Sequence, residues 1–148
     1  MSFLSSMNIS ASAMTAQRLR LDIASENIAN IDTTRTEAGG PYQRKMVVLE
    51  SRNENNFRRI MMNAAGISRQ QSTGGVRVSQ IVQDTSPYKS VYNPEHPDAD
   101  ENGYVQMPNV DLLKETVDSM SAYRSYEANI TAFNAIKMMA SKALEIGK

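Results

Sequence analysis

The C-terminal stretch from Asn109 to Gly147 limits the possible folds more than any other part of the chain. Pro108 and Asn109 mark a helix start, since proline fixes φ and an asparagine side chain can accept hydrogen bonds from free first-turn amides. Asp111 then falls in the first turn, where the positive end of the helix dipole favours it. Neither proline nor glycine recurs before Gly147, which suits the left-handed position just past a helix end. The span is about 38 residues, or roughly 57 Å at about 1.5 Å per residue, longer than a small domain's core requires. Val110, Leu113, Val117 and Met120 recur at steps of three and four, and Tyr123, Tyr126, Ile130, Phe133, Ala140 and Leu144 carry the stripe onward. A helix of this length with a persistent stripe requires a partner helix, and the pattern predicts a coiled-coil-like arrangement.

The N-terminal end supplies the candidate partner. Met7, Met14, Leu21 and Ile28 fall seven residues apart, with Leu4, Ala11, Ala24 and Ile31 on or near that face. A second row, Ile9, Ala16 and Ile23, has the same spacing on nearly the opposite side of an ideal helix. Two apolar faces imply packing on both sides, by the chain itself and by a neighbour, although an ordinary buried helix fits the same pattern. The small residues Ser5, Ser6, Ser10, Ser12, Ala13 and Ala16 allow close approach and contribute little burial, so the helix is expected to be weak alone.

Between the two helices the pattern changes. Gly39, Gly40 and Pro41 break the chain, and Tyr42 to Leu49 reads as a strand. Asn53 to Asn56 reads as loop and Phe57 to Ala65 as a short helix or loop. Val76, Val78, Ile81 and Val82 form a strand whose broken alternation predicts a bulge. Tyr88 to Tyr92 is a short extended piece, Asn93 to Gly103 a polar loop, and Tyr104 to Met107 the lead into the last helix. The expected architecture is mainly α with a small β insert. Residues 1–34 and 108–148 form a helical stem, and residues 35–107 form a β-rich knob inserted between its helices.

Charge and composition exclude several functions. Lys and Arg total 16 against 16 Asp and Glu, and the basic pairs Arg44–Lys45 and Arg58–Arg59 form no stripe, so a nucleic-acid partner is not expected. With no cysteine there is no disulfide, thiol nucleophile or cysteine-based zinc site. The first seventeen residues carry no Lys or Arg and no long apolar run follows, so no cleavable secretory signal is expected. No segment approaches the roughly 20 apolar residues of a membrane span, and membrane insertion is not expected.

No catalytic, cofactor or metal site emerges. His96 is the only histidine, and Gly66-Ile67-Ser68 lacks the closing glycine of a nucleophile elbow because Gln70 stands there. Asp98-Ala99-Asp100-Glu101-Asn102-Gly103 matches the opening of a calcium loop, but its twelfth position is Asn109 rather than a bidentate glutamate. A calcium- or ligand-binding β module on a helical stem is the alternative reading. A glycosidase would need two carboxylates at a fixed separation, which one acidic loop does not supply.

The segment SENIANIDTT contains Asn27, Ala29 and Asn30 followed by Thr33 and Thr34. It resembles the signature that flagellar rod and hook axial proteins carry after their first helix. GGPYQRKMVVL, YNPEHPDADENGYVQMPNVD and RSYEANITAFNAIKMMASKALEIG resemble one rod member of that family more narrowly. The likeness covers both ends and much of the insert, and leaves out residues 51–74. Thr116 and Ser119 are more polar than the apolar filling usual before Met120.

The resemblance implies a structural protein of the basal-body rod in the periplasmic space, with no enzyme activity and no cofactor. Such proteins pair their terminal helices, leave the cytosol unfolded and uncleaved through the flagellar type III export apparatus, and stack into a helical tube. The partners implied are other proximal-rod proteins, the hook–basal-body protein E and further copies of the chain. The residues expected at helix or subunit interfaces are Met7, Met14, Leu21, Ile28, Ile9 and Ile23 on the first helix. On the last helix they are Val117, Met120, Tyr126, Ile130, Phe133 and Leu144.

Overall fold

The computed structural model describes residues 3–37, 39–52, 61, 64–66 and 74–146. Among these, two long helices bracket four strands. They are α1 (Phe3–Ala29), β1 (Lys45–Ser51), β2 (Val76–Gln83), β3 (Lys89–Tyr92), β4 (Tyr104–Met107) and α2 (Leu112–Ile146). The chain is mainly helical with a small β insert, as the sequence pattern predicts. The readings of Asn53 to Asn56, of Phe57 to Ala65 for the most part, of Ile67-Ser68 with Gln70, and of Gly147 fall outside the described residues.

β1 and β2 form one two-stranded sheet, and β3 and β4 form another. At the ends of the first pair, Arg52 N donates to Gly75 O at 2.7 Å and Asp84 N donates to Arg44 O at 2.8 Å. From one bond to the other the first strand advances eight residues and the second nine, so the extra residue of a bulge lies on the second strand. In the second sheet Val91 faces Val105 and Tyr92 faces Tyr104. Tyr104 to Met107 is thus a paired strand, where the sequence showed only a lead into the helix. The two tyrosine rings meet edge to face with centroids 5.3 Å apart. Gly103, at φ +77°, turns the chain where a Cβ would come within 2.9 Å of the Tyr92 ring.

The start of α2 departs from the sequence reading. Asp111, not Asn109, caps it, with Oδ1 accepting from Leu113 N at 2.9 Å and Lys114 N at 3.4 Å. The Asn109 side chain is committed instead to backbone just before β1 and just after β2. Its Oδ1 accepts from Arg44 N at 2.8 Å, and its Nδ2 donates to Asp84 O and Ser86 O. A side chain holding three backbone groups of two other segments cannot also turn back onto its own helix.

The chain forms two compact units: residues 1–17, 49–79 and 124–148, and residues 18–48 and 80–123. In the first, the opening of β2 approaches α1 closely. Ser12 Oγ accepts from Val76 N at 3.1 Å, and a Cβ on Gly75 would lie 2.6 Å from that oxygen. Only glycine fits at Gly75, whose φ is +130°. The second unit holds the buried polar junction described next.

Candidate functional site

SENIANIDTT ends α1 by committing its side chains to hydrogen bonds with backbone and with other side chains. Asn30 Nδ2 donates to Glu26 O at 2.9 Å, and Asn30 Oδ1 accepts from Thr33 Oγ1 at 3.1 Å. Asparagine and threonine compete with helical bonding in this way, which stops the helix after Ala29. Thr33 O then accepts from Tyr42 N at 3.0 Å, and Thr34 Oγ1 donates to Asp98 Oδ2 at 2.8 Å. Ala29 itself is exposed.

Asn27 lies at the centre and is 1% exposed. Its Oδ1 accepts from Tyr42 OH and from Lys45 N, both at 2.9 Å. Its Nδ2 donates to Lys45 O at 2.9 Å and to Glu115 Oε2 at 3.0 Å. Both donors and both lone pairs of the amide are therefore used. Paired with both the N–H and the C=O of Lys45, the amide acts as a substitute strand neighbour at the start of β1. One side chain thus joins the end of α1, β1 and the first turns of α2.

Glu115, 2% exposed, meets the same amide with one carboxylate oxygen, and its Oε1 accepts from Arg44 Nε at 2.6 Å. The Arg44 guanidinium also stands 3.4 Å from Asp118 and 3.6 Å from Asp84. Burying a carboxylate is costly unless it is paired and hydrogen-bonded, and Glu115 is both. Among the described residues no buried side-chain nitrogen or oxygen lacks a partner.

The junction shifts two titrations. Burial pushes the Tyr42 hydroxyl up to about 12, aided by the Glu26 and Glu115 carboxylates. The Asp84 carboxyl is held below its ordinary value by the Ser86 hydroxyl and Ser86 N–H, with a smaller contribution from Arg44. An open cleft of about 300 Å³ borders the junction, lined by Arg20, Ile23, Ala24, Lys114 and Asp118 among others.

With its donors and acceptors mutually engaged, this arrangement positions secondary structure and presents no nucleophile–base pair. In the acidic loop, Asp98 accepts from Thr34 and lies 3.9 Å from Arg35. Among the described residues no three His, Cys, Asp or Glu side chains gather where they could hold a metal ion.

The sequence-predicted interface residues fall into two groups. Met7, Ile9, Met14, Leu21, Ile28, Tyr126 and Phe133 are half-buried, and Ile23 is buried. Val117, Met120, Ile130 and Leu144 are exposed. On α2 the covered positions instead run Glu115, Ser119, Ala122, Tyr126, Asn129, Phe133, Ile136 and Ala140, three or four residues apart. The covered seam thus opens with polar and small residues, which is why an apolarity count followed Leu113, Val117 and Met120. Sequence reasoning missed Tyr42, Arg44 and Glu115. Arg44 lies between Gln43 and Lys45 and Glu115 between Lys114 and Thr116, so polar neighbours gave no sign that either charge is buried.

Two family models match the chain. "Flagella basal body rod protein" covers residues 7–35, and "Flagellar basal body rod FlgEFG protein C-terminal" covers residues 101–146. Each contains one side of the Asn27–Glu115 bond. The chain is 53% identical over 150 residues to the flagellar basal-body rod protein FlgC of Bacillus subtilis, covering 97% of both chains. It is 43% identical over 156 residues to FlgC of Borreliella burgdorferi, covering 99% of this chain and 98% of that one. It is 42% identical over 148 residues to FlgC of Salmonella typhimurium, covering 100% of each. With both terminal motifs matched and the likeness running end to end, the chain belongs to the FlgC family of flagellar basal-body rod proteins.

Proposed function

We propose that this protein is a structural subunit of the flagellar rod, exported through the flagellar type III apparatus and assembled into a helical tube. Its neighbours in that tube are other proximal-rod proteins, the hook–basal-body protein E and further copies of itself. Residues 1–34 and 108–148 serve as the helical stem, and residues 35–107 as the insert it carries. The observation that carries this reading is the Asn27 junction, where the family's motif is spent on geometry rather than chemistry. Such a junction fixes how the insert leaves the helices, and a repeating assembly needs that angle to be the same in every copy.

The test is fractionation of flagellated cells. The chain is expected in purified basal bodies and only inside the cytoplasm of a strain whose flagellar export apparatus is deleted. Recovery outside the cytoplasm of that strain would refute the export route, and absence from purified basal bodies would refute the rod assignment.

A further inference from the structure

The first three turns of α2 present an outward row of Leu113, Val117, Met120 and Tyr123, which are 75%, 57%, 56% and 56% exposed. Thr116 completes that face, so no charged side chain interrupts it from Leu113 to Tyr123. Single exposed apolar residues are ordinary, but an unbroken row of large ones marks a contact surface. An uncharged apolar row calls for an uncharged counterpart, because seating it on a charged face would bury that charge unpaired.

The chain contains such a counterpart. Residues 1–17 hold no Asp, Glu, Lys, Arg or His, whereas the rest carries all 16 basic and 16 acidic residues. Water-facing surfaces are about 25–35% charged, so a helix segment with none is not built to face water. In α1, Leu4, Asn8 and Thr15 nevertheless lie exposed along one face. The lengths agree: Leu113 to Tyr123 spans about 15 Å and Leu4 to Thr15 about 16 Å at about 1.5 Å per residue. The large side chains of the α2 row also complement the shorter ones around Asn8, Ala11 and Thr15.

We infer that in the assembled rod the Leu113–Val117–Met120 row of one copy seats on the uncharged opening of α1, around Asn8, in a second copy. The inference rests on the rod assignment and adds to it the surface and its occupant. The contact joins two different patches, so it does not close on itself and propagates from copy to copy.

The absence of native cysteine makes the test clean. Cells express two versions of the full chain, Asn8→Cys and Val117→Cys, which stand near the centres of the two rows and meet whichever way the helices run. Basal bodies are isolated and oxidised. The expected product is a disulfide dimer containing one chain of each kind, at least tenfold above the yield when either version is expressed alone. Equal yield from one version alone, capture of a different protein by Val117→Cys, or no dimer from chains present in the rod would each overturn the contact. Absence of the unsubstituted chain from basal bodies would overturn the rod assignment instead. Should the cysteine chains not assemble, an introduced charge pair decides: Val117→Lys abolishes swimming, and adding Asn8→Glu to the same chain restores at least half of the halo diameter. Failure of that restoration, with both chains folded, overturns the contact.

Discussion

Around the first turns of α2, the inside and outside of the second unit exchange the usual places of polar and apolar groups, although the unit also buries Ile23, Val105 and Val110. At its centre an asparagine amide, a guanidinium and a glutamate are buried with their bonds satisfied. On its outside, Leu113, Val117 and Met120 on the same helix as Glu115 stay exposed. Burying the leucine and exposing the glutamate would gain more from the hydrophobic effect alone. Hydrogen bonds are directional and burial is not, so the polar centre sets one geometry, while the apolar outside is left for association. The difference separates what fixes the subunit's shape from what its surface offers to a neighbour.

The comparison breaks most severely at Arg44. Arg44→Ala strands Glu115 as an unpaired buried charge, a change that costs about 3–5 kcal/mol. A urea melt of the purified protein reads it directly. The double substitution Arg44→Met with Glu115→Leu is expected to recover most of the loss, because an apolar pair of similar volume needs no ion pairing. A loss below about 1 kcal/mol for Arg44→Ala would show that water already reaches the pair.

Asn27→Asp comes next. The shape is kept, but the donors to Lys45 O and Glu115 vanish and a second carboxylate faces Glu115. Leaving buried groups unpaired gives an expected loss of about 2–3 kcal/mol. If this chain melts like the native one, the amide does not hold the junction together.

Tyr42 sharpens the comparison through pH. Its hydroxyl donates to Asn27 and titrates at about 12 in the fold against 10.0 unperturbed. A group raised on folding adds stability that is whole below the unfolded value and is lost as pH rises through the folded one. The native protein is therefore expected to lose stability between about pH 10 and 12, and Tyr42→Phe to lose less over that window. Parallel curves for the two proteins would mean that the hydroxyl does not titrate against the junction.

These tests bear on residues that the sequence disclosed unevenly. The two helices were legible because Met7, Met14, Leu21 and Ile28 repeat and because no breaker interrupts Asn109 to Gly147. β2 was legible from its valines, including the bulge, since a broken alternation records an inserted residue. The junction was half legible. Asn27, Asn30, Thr33 and Thr34 stood out as a motif, but what they hold lies far along the chain, at Lys45, Asp98 and Glu115. Asn109 misled because an asparagine before a helix reads as a cap, and only tertiary structure shows its amide already committed to Arg44, Asp84 and Ser86. The outward row on α2 was legible as apolar, while the side it faces was not, because periodicity gives a face but no direction.

The smallest expected effect on stability is also the one on which the comparison most depends. Val117→Ser removes an exposed side chain, and exposed substitutions away from caps and networks usually change stability by within about 0.5 kcal/mol. Val105, on β4 of the same unit, is 2% exposed, and Val105→Ser should cost about 1–3 kcal/mol through lost burial and a stranded hydroxyl. The purified Val117→Ser protein should thus melt with the native one while Val105→Ser melts earlier. In cells the order reverses, because a row that serves a neighbour is tested only in the assembly. Val117→Ser should sharply reduce recovery of the chain in basal bodies, whereas Val105→Ser should reduce it only as far as its folded fraction falls. A Val117→Ser monomer destabilised as much as the Val105→Ser one would mean that the row is already covered in the free chain. The outside of this unit would then be ordinary core, and the distinction between its inside and outside would fail.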